Sequence, residues 1–171
     1  MTEQLMLYKL IVLYMLNRID FSMSYSQISD FILGRGYTDG FTLQSAVSEL
    51  VEDDLIHPEF LQGIAYYSIT PEGEETLGFL EEKVSAPIRA DILSYLKENK
   101  LQLRNETSIL SEYYRTTAGN YEARCIVREK QTNLIDLKLT VPEEEQAKAI
   151  CNQWKNNSQE VYAWLMKTLM K

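Results

Sequence analysis

Residues 41–73 constrain the fold more than any other stretch of this 171-residue chain. The stretch begins with an apolar stripe at the spacing of one buried helical face, formed by Leu43, Ala46, Val47, Leu50 and Val51. Residues 55–56 and 64–70 then have the pattern of two hairpin strands, because the second is rich in β-branched and aromatic side chains. Pro71 opens a further helix. The order helix, hairpin, helix is therefore expected here.

Two helices are predicted upstream of this stretch. Residues 3–19 are apolar on nearly every side, which indicates a helix buried on most of its surface. Ser24 is followed by Gln27 at the spacing of a capping box, which predicts the start of a second helix. Gly34 and Gly36 end it, since glycine readily takes the left-handed conformation found just past a helix C-terminus. Together with the helix at 41–53, these two helices predict a cluster of three helices that is followed by a hairpin.

This cluster predicts a winged helix-turn-helix domain over residues 1–85, with three helices and a two-stranded wing. The helix at 41–53 is the third helix, the position from which helix-turn-helix proteins read the major groove of DNA. Polar residues on its outward side are the candidate DNA-binding residues: Thr42, Gln44, Ser45 and Ser48. The alternative is that they form a solvated helix face.

Two motifs carry a resemblance to a known class of proteins. Residues 50–56 and 66–73 resemble the winged-helix regulators of the MarR and PadR type, and the resemblance covers residues 3–83. Beyond residue 85 the chain is similar to a bacterial family of uncharacterised proteins in which a winged helix precedes an α/β tail. The resemblance implies a homodimeric, DNA-binding transcriptional regulator that reads DNA through residues 41–53 and the wing at 55–69.

The chain departs from the pattern of those regulators in three places. Asp54 stands where they usually have glycine, but aspartate tolerates left-handed geometry better than most residues. Residues 57–65, the expected wing, contain no Lys or Arg. The outward side of residues 41–53 has no basic residue either.

Net charge favours a different kind of partner. The chain has a formal net charge of −8, and residues 1–70 hold three basic residues against nine acidic ones, a net of −6. Non-specific affinity for DNA comes largely from Lys and Arg that neutralise phosphates. The second hypothesis is therefore an acidic winged-helix module that binds a protein partner and no DNA.

Residues 86–171 are predicted to form a second domain, so that the whole chain belongs to the α+β class. The boundary is placed at Ser85-Ala86-Pro87. A helix from residue 88 either packs on the following sheet or pairs two subunits. Apolar and polar residues then alternate along three predicted strands of an antiparallel meander: 109–115, 121–129 and 134–141.

Two helices are predicted to cover the buried face of that meander. The first carries Ala147, Ile150 and Trp154 at helical spacing, and Ser158 has the pattern of an N-cap for the second. Trp154 and Trp164 are both expected in the core.

No pattern of residues in the sequence indicates a catalytic site, a metal site or a cofactor site. His57 is the only histidine, and Cys125 and Cys151 lack CxxC spacing, so both cysteines are expected to be reduced core residues. There is no Gly-rich phosphate loop and no Ser/His/Asp set, which predicts a protein that is not an enzyme. The apolar run 5–16 is too short to span a bilayer and no targeting signal is present, so the expected location is the cytoplasm.

Overall fold

The computed structural model describes residues 3–61, 63–129 and 132–171. The chain divides into two compact units, Met1–Arg104 and Asn105–Lys171. Within the described residues there are six α-helices and two three-stranded antiparallel sheets, which confirms the α+β class. The elements of the first unit are α1 (Glu3–Asn17), β1 (Met23–Ser24), α2 (Tyr25–Gly34), α3 (Gly40–Glu52), β2 (Ile56–Leu61), β3 (Ile64–Ile69) and α4 (Pro71–Leu80). Helix α5 (Ala86–Ser108) follows, and then β4 (Ile109–Arg115), β5 (Tyr121–Glu129), β6 (Thr132–Val141) and α6 (Glu144–Leu169).

Helix α1 forms the centre of the first unit. Every residue from Lys9 to Leu16 is buried, and α1 packs against α3, α4 and β3. This confirms the prediction that the helix is buried on most sides. No helix in the described part of the chain combines the length and apolar character needed to cross a membrane.

Local signals fix the ends of α2. The Ser24 hydroxyl accepts a hydrogen bond from the Gln27 N–H, and the Gln27 side-chain oxygen accepts one from the Ser24 N–H, both at 3.2 Å. This is the predicted capping box. At the other end Gly36 has a φ of 72°, a conformation in which glycine has no Cβ to strain.

Asp54 makes the turn between α3 and the hairpin. Its φ is 57°, in the left-handed region that aspartate tolerates. The N–H of Leu55 donates to the carbonyl of Leu50 at 2.9 Å, and that of Asp54 donates to Val51 at 3.1 Å. These two bonds close a Schellman motif without the usual glycine, so the turn expected from the sequence is present.

The first sheet differs from the predicted two-stranded hairpin. Its strand order is β1-β3-β2, because Met23 and Ser24 pair with Tyr67 and Tyr66. A strand of two residues carries no alternation that a sequence pattern could reveal. Pro58 lies in β2, an edge strand, where its missing N–H costs no ladder hydrogen bond.

Helix α5 is longer than predicted. It begins at Ala86 and continues to Ser108, and the division between the two compact units falls inside it, after Arg104. The sequence pattern had placed the domain boundary at Ser85-Ala86-Pro87. Proline fits that position because its ring is compatible with the first turn of a helix, so it opens α5 and does not mark a linker.

The second unit contains the predicted meander, in the order β4-β5-β6. One face of this sheet is covered by α6, with Cys125, Ile135 and Trp154 at the centre of the contact. The indole N–H of Trp154 donates to the carbonyl of Ile126 at 3.1 Å, so its polar atom is satisfied in the core.

The prediction of two C-terminal helices is wrong, because α6 is one continuous helix of 26 residues. Ser158 does not cap a new helix; it is buried and keeps the apolar stripe in phase between Trp154 and Val161. The Asn157 side chain donates to the carbonyl of Gln153 at 2.9 Å, and thus forms a local bond within the helix. Trp164 was also predicted wrongly as a core residue, since it is 62% exposed.

Gly73 provides a test of how closely α4 approaches the turn after α3. A Cβ at Gly73 would overlap the carbonyl oxygen of Leu55 and lie 2.8 Å from the Ile69 side chain, so the backbone would have to move. We expect Gly73→Ala to lower the free energy of unfolding by about 2 kcal/mol or more, measured by urea denaturation. Gly78→Ala is the matched control on the same helix, because a Cβ there meets nothing within 4 Å. It should stabilise by about 0.5–1 kcal/mol, and equal effects of the two variants would contradict this packing.

Candidate nucleic-acid interface

Helix α3 is held so that one side faces the core and the other faces outward. Leu43, Ala46 and Leu50 are fully buried beneath it, and the helix packs on α1. The Asp39 carboxylate caps its N-terminus by accepting the Thr42 N–H at 2.7 Å. This hydrogen bond lowers the pKa of Asp39.

The outward side of α3 forms a shallow depression of about 310 Å³. Its lining residues are Phe41, Gln44, Ser45, Ser48 and Glu49. Three of the four residues predicted as DNA contacts therefore share one surface. Thr42 is the exception: it lies in the first turn of the helix and does not line the depression. The depression presents an amide and two hydroxyl groups beside an aromatic ring.

Glu49 is the only charged residue in that lining, and its charge is compensated. The Lys9 ammonium lies 3.0 Å from Glu49 Oε1, and the Lys9 side chain is only 6% exposed, against 34% for Glu49. A lysine this deeply buried needs an anionic or polar partner, because an isolated ammonium in the core is costly. The carboxylate at the edge of the depression is thus part of an ion pair that joins α3 to α1.

The other two basic residues of segment 1–70 also form ion pairs within the first unit. Arg18 pairs with Glu81 and lies over the Tyr14 ring, at 4.3 Å from its centroid. Arg35 pairs with Asp91 at 3.1 Å, and its guanidinium lies 5.3 Å from the centroid of the Phe31 ring. Each of these two positive charges thus has a carboxylate partner within the first unit.

The uncompensated acids of α3 lie at its far end. Glu52, Asp53 and Asp54 are exposed at the C-terminus of the helix. At a rise of about 1.5 Å per residue, Glu52 is roughly 6 Å along the axis from Ser48, which lines the depression. That separation is within the Debye length of about 8 Å at physiological salt, so these acids add negative charge beside the C-terminal end of the depression.

The β2–β3 hairpin presents apolar side chains near its tip. Phe60 and Ile64 are largely exposed. The sequence of residues 57–65 holds no Lys or Arg that could contact phosphate. The hairpin therefore adds surface beside α3 without adding positive charge.

Two residues of this region were missed by sequence reasoning. Phe41 is 82% exposed although it begins the segment used to predict the helix. The sequence already indicates this exposure, because Phe41 lies outside the apolar stripe of α3. Lys9 is the second such residue, and its signal is a single lysine in a helix that is apolar on nearly every side, which indicates a buried ion pair.

The two cysteines have the character of core residues more than of reactive thiols. Burial, together with the neighbouring Cys151, raises the pKa of Cys125 to about 11. Burial also raises the pKa of Cys151, which is half-buried. Thiolate is the reactive form, so neither thiol is activated at neutral pH.

The Lys9–Glu49 pair can be tested by removing one charge. We expect Glu49→Gln to lower the free energy of unfolding by about 2–3 kcal/mol, because the buried ammonium of Lys9 then loses the carboxylate that lies 3.0 Å from it. The control is Glu52→Gln, the same change one turn further along α3 at an exposed position. It should alter stability by less than about 0.5 kcal/mol in the same urea titration. If both variants unfold at the same urea concentration, the pair does not stabilise the contact of α3 with α1.

Comparison with known proteins identifies a family. No curated protein and no solved structure matches the chain significantly. The sequence pattern of one protein family matches residues 8–169 and so spans both compact units. The chain belongs to this family, which is described as Domain of unknown function (DUF4364).

Proposed function

We propose that the protein is a winged helix-turn-helix transcriptional regulator that inserts α3 into the major groove of DNA. The order of α1, α2, α3, β2 and β3 supports the proposal, as does the resemblance to regulators of the MarR and PadR type. In helix-turn-helix proteins the N-terminal residues of the recognition helix contact base edges. The depression begins in this part of α3 and extends along residues 41–49 into the third turn.

The observation that carries the proposal is the chemistry of that depression. Gln44, Ser45 and Ser48 offer amide and hydroxyl groups, and these are groups that contact base edges and phosphate oxygens. The adjacent Glu49 carboxylate is held by Lys9 and does not face phosphate as an uncompensated charge. Residues 40–48 of α3 carry no charged side chain, although the Asp39 carboxylate caps the helix and residues 1–70 as a whole are acidic.

Affinity in this mode comes mainly from base contacts. Helix α3 and the hairpin have no Lys or Arg, so few counterions are released when they meet DNA. Two copies of the chain would present two α3 helices to successive major grooves, and the second unit would serve assembly or sensing. Light scattering on the purified protein tests the homodimer.

A titration of DNA selected from random sequences tests the proposal. Full-length protein should bind the selected duplex at about 50 mM salt, where the electrostatic contribution is strongest. The plot of log affinity against log salt should have a slope of magnitude below about 3, since each neutralised phosphate contributes about 0.9. Absence of binding at this salt concentration would refute the proposal.

Gln44→Ala tests whether α3 reads bases. A good bidentate contact to adenine discriminates by about 1–3 kcal/mol, so the variant should bind the selected duplex roughly 10- to 100-fold more weakly and an unrelated duplex unchanged. Gln4→Ala is the matched control, because Gln4 is also an exposed glutamine on a helix of the first unit. Equal losses for both glutamine variants would speak against base contacts by Gln44.

The second candidate function is a protein-binding module that uses the same surface. It is favoured by the three ion pairs that engage Lys9, Arg18 and Arg35, and by the exposed apolar groups of Phe41 and Phe60. Exposed aromatic residues are enriched at protein interfaces. The two candidates differ in the low-salt titration: a protein-binding module leaves every duplex in the random pool unbound.

A further inference from the structure

Phe41 is the most exposed large apolar side chain in the described part of the chain. It is the second residue of α3, and it borders the same depression as Gln44, Ser45 and Ser48. Its ring contributes little to the fold, because 82% of its surface is open to solvent. Where α3 meets DNA, the ring of Phe41 can pair favourably only with an apolar group, since it can neither donate nor accept a strong hydrogen bond.

The major groove offers one apolar group of this kind. Base edges there display donors and acceptors on nitrogen and oxygen, and the C5-methyl group of thymine is the exception. A ring placed against the polar edges would bury them without partners, which is unfavourable. Against a methyl group, the ring removes apolar surface from water on both sides.

The spacing on α3 agrees with this pairing. Phe41 and Gln44 are three residues apart, which is about 4.5 Å along the helix axis. Successive base pairs are separated by a comparable distance, roughly 3.4 Å. A glutamine amide can bind adenine through two hydrogen bonds. The two side chains would therefore meet neighbouring base pairs, one through a thymine methyl group and one through adenine.

We propose that Phe41 contacts the C5-methyl group of a thymine, so that the protein selects half-sites with A·T base pairs at the N-terminal end of α3. The proposal rests on the DNA-binding function proposed above and names the chemistry that α3 recognises. It also assigns the reading of one base to a residue with no charge and no hydrogen-bonding group.

The experiment uses the full-length protein and a pool of duplexes with a random core. Each sequence enriched by the protein is synthesised with thymine throughout and as a set of duplexes, each with deoxyuridine in place of one thymine. Every comparison is between the thymine form and one deoxyuridine form. Deoxyuridine keeps the hydrogen-bonding pattern and lacks only the methyl group. Affinities of the wild type, Phe41→Ala and Phe79→Ala are then measured by fluorescence titration.

At one position of the enriched site, loss of the methyl group should weaken wild-type binding about four-fold, the factor that corresponds to roughly 0.8 kcal/mol for one buried carbon group. Phe41→Ala should bind both forms of the duplex equally. Phe79→Ala is the matched control, because Phe79 is 79% exposed on α4 in the same unit, and it should keep the four-fold difference. Thermal melts check that both variants remain folded, as expected for exposed side chains.

The possible failures are distinguishable. If no duplex is bound, the proposed DNA-binding function fails, and the role of Phe41 fails with it. If an enriched duplex is bound with equal affinity in both forms, DNA binding stands and the thymine contact is wrong. If Phe41→Ala keeps the four-fold difference, another residue reads the methyl group, and the assignment to Phe41 is overturned.

Discussion

The burial of α1 is the constraint on which the first unit depends. Residues 10–16 of this helix are almost completely buried, and α3, α4 and β3 all pack against it. The depth of this burial makes Lys9 expensive unless an anion lies beside it, and Glu49 supplies the anion at 3.0 Å. Because Glu49 belongs to α3, this contact joins α3 to α1, and the buried face formed by Leu43, Ala46 and Leu50 fixes how α3 is rotated about its own axis. The outward position of Gln44, Ser45 and Ser48 follows from that rotation.

The three basic residues of segment 1–70 connect different elements of the first unit through ion pairs. Lys9 joins α1 to α3, Arg18 reaches Glu81 after α4, and Arg35 reaches Asp91 on α5. The contact at Asp91 is reinforced by the Tyr37 hydroxyl, which donates to its carboxylate at 2.6 Å. Burial, followed by this hydrogen bond, raises the pKa of Tyr37 to about 12, so the hydroxyl keeps its proton over the physiological range. Exposed pairs of this kind contribute little individually, but here they connect elements distant in sequence.

Local signals predicted most of the fold, whereas contacts between distant residues could not be predicted. The capping box at Ser24, the turn at Asp54 and the three strands of the meander each follow from a few neighbouring residues. The partner of Lys9 is 40 residues away, and β1 is too short to show a pattern. Helix α6 was divided wrongly because Ser158 is typical of a cap, and only the packing shows that it fills a core position. For the candidate site, the polar side of α3 was predictable, and the exposure of Phe41 follows from its place outside the apolar stripe, but the pairing of Glu49 with Lys9 was not predictable.

Under the proposed function, the scarcity of positive charge on α3 would have a consequence for specificity. Lys and Arg contacts with phosphate supply nearly all of a protein's non-specific affinity for DNA, and this affinity competes with the specific site across the whole genome. A reading surface built from Phe41, Gln44 and two serines would forgo that contribution, so its absolute affinity would be modest while its ratio of specific to non-specific binding stayed high. One such surface buries little area, and two linked surfaces raise the effective affinity without new contacts. Assembly of two copies would then be a requirement for DNA binding, and such a requirement would give a second unit that pairs subunits a physical reason to be joined to the first.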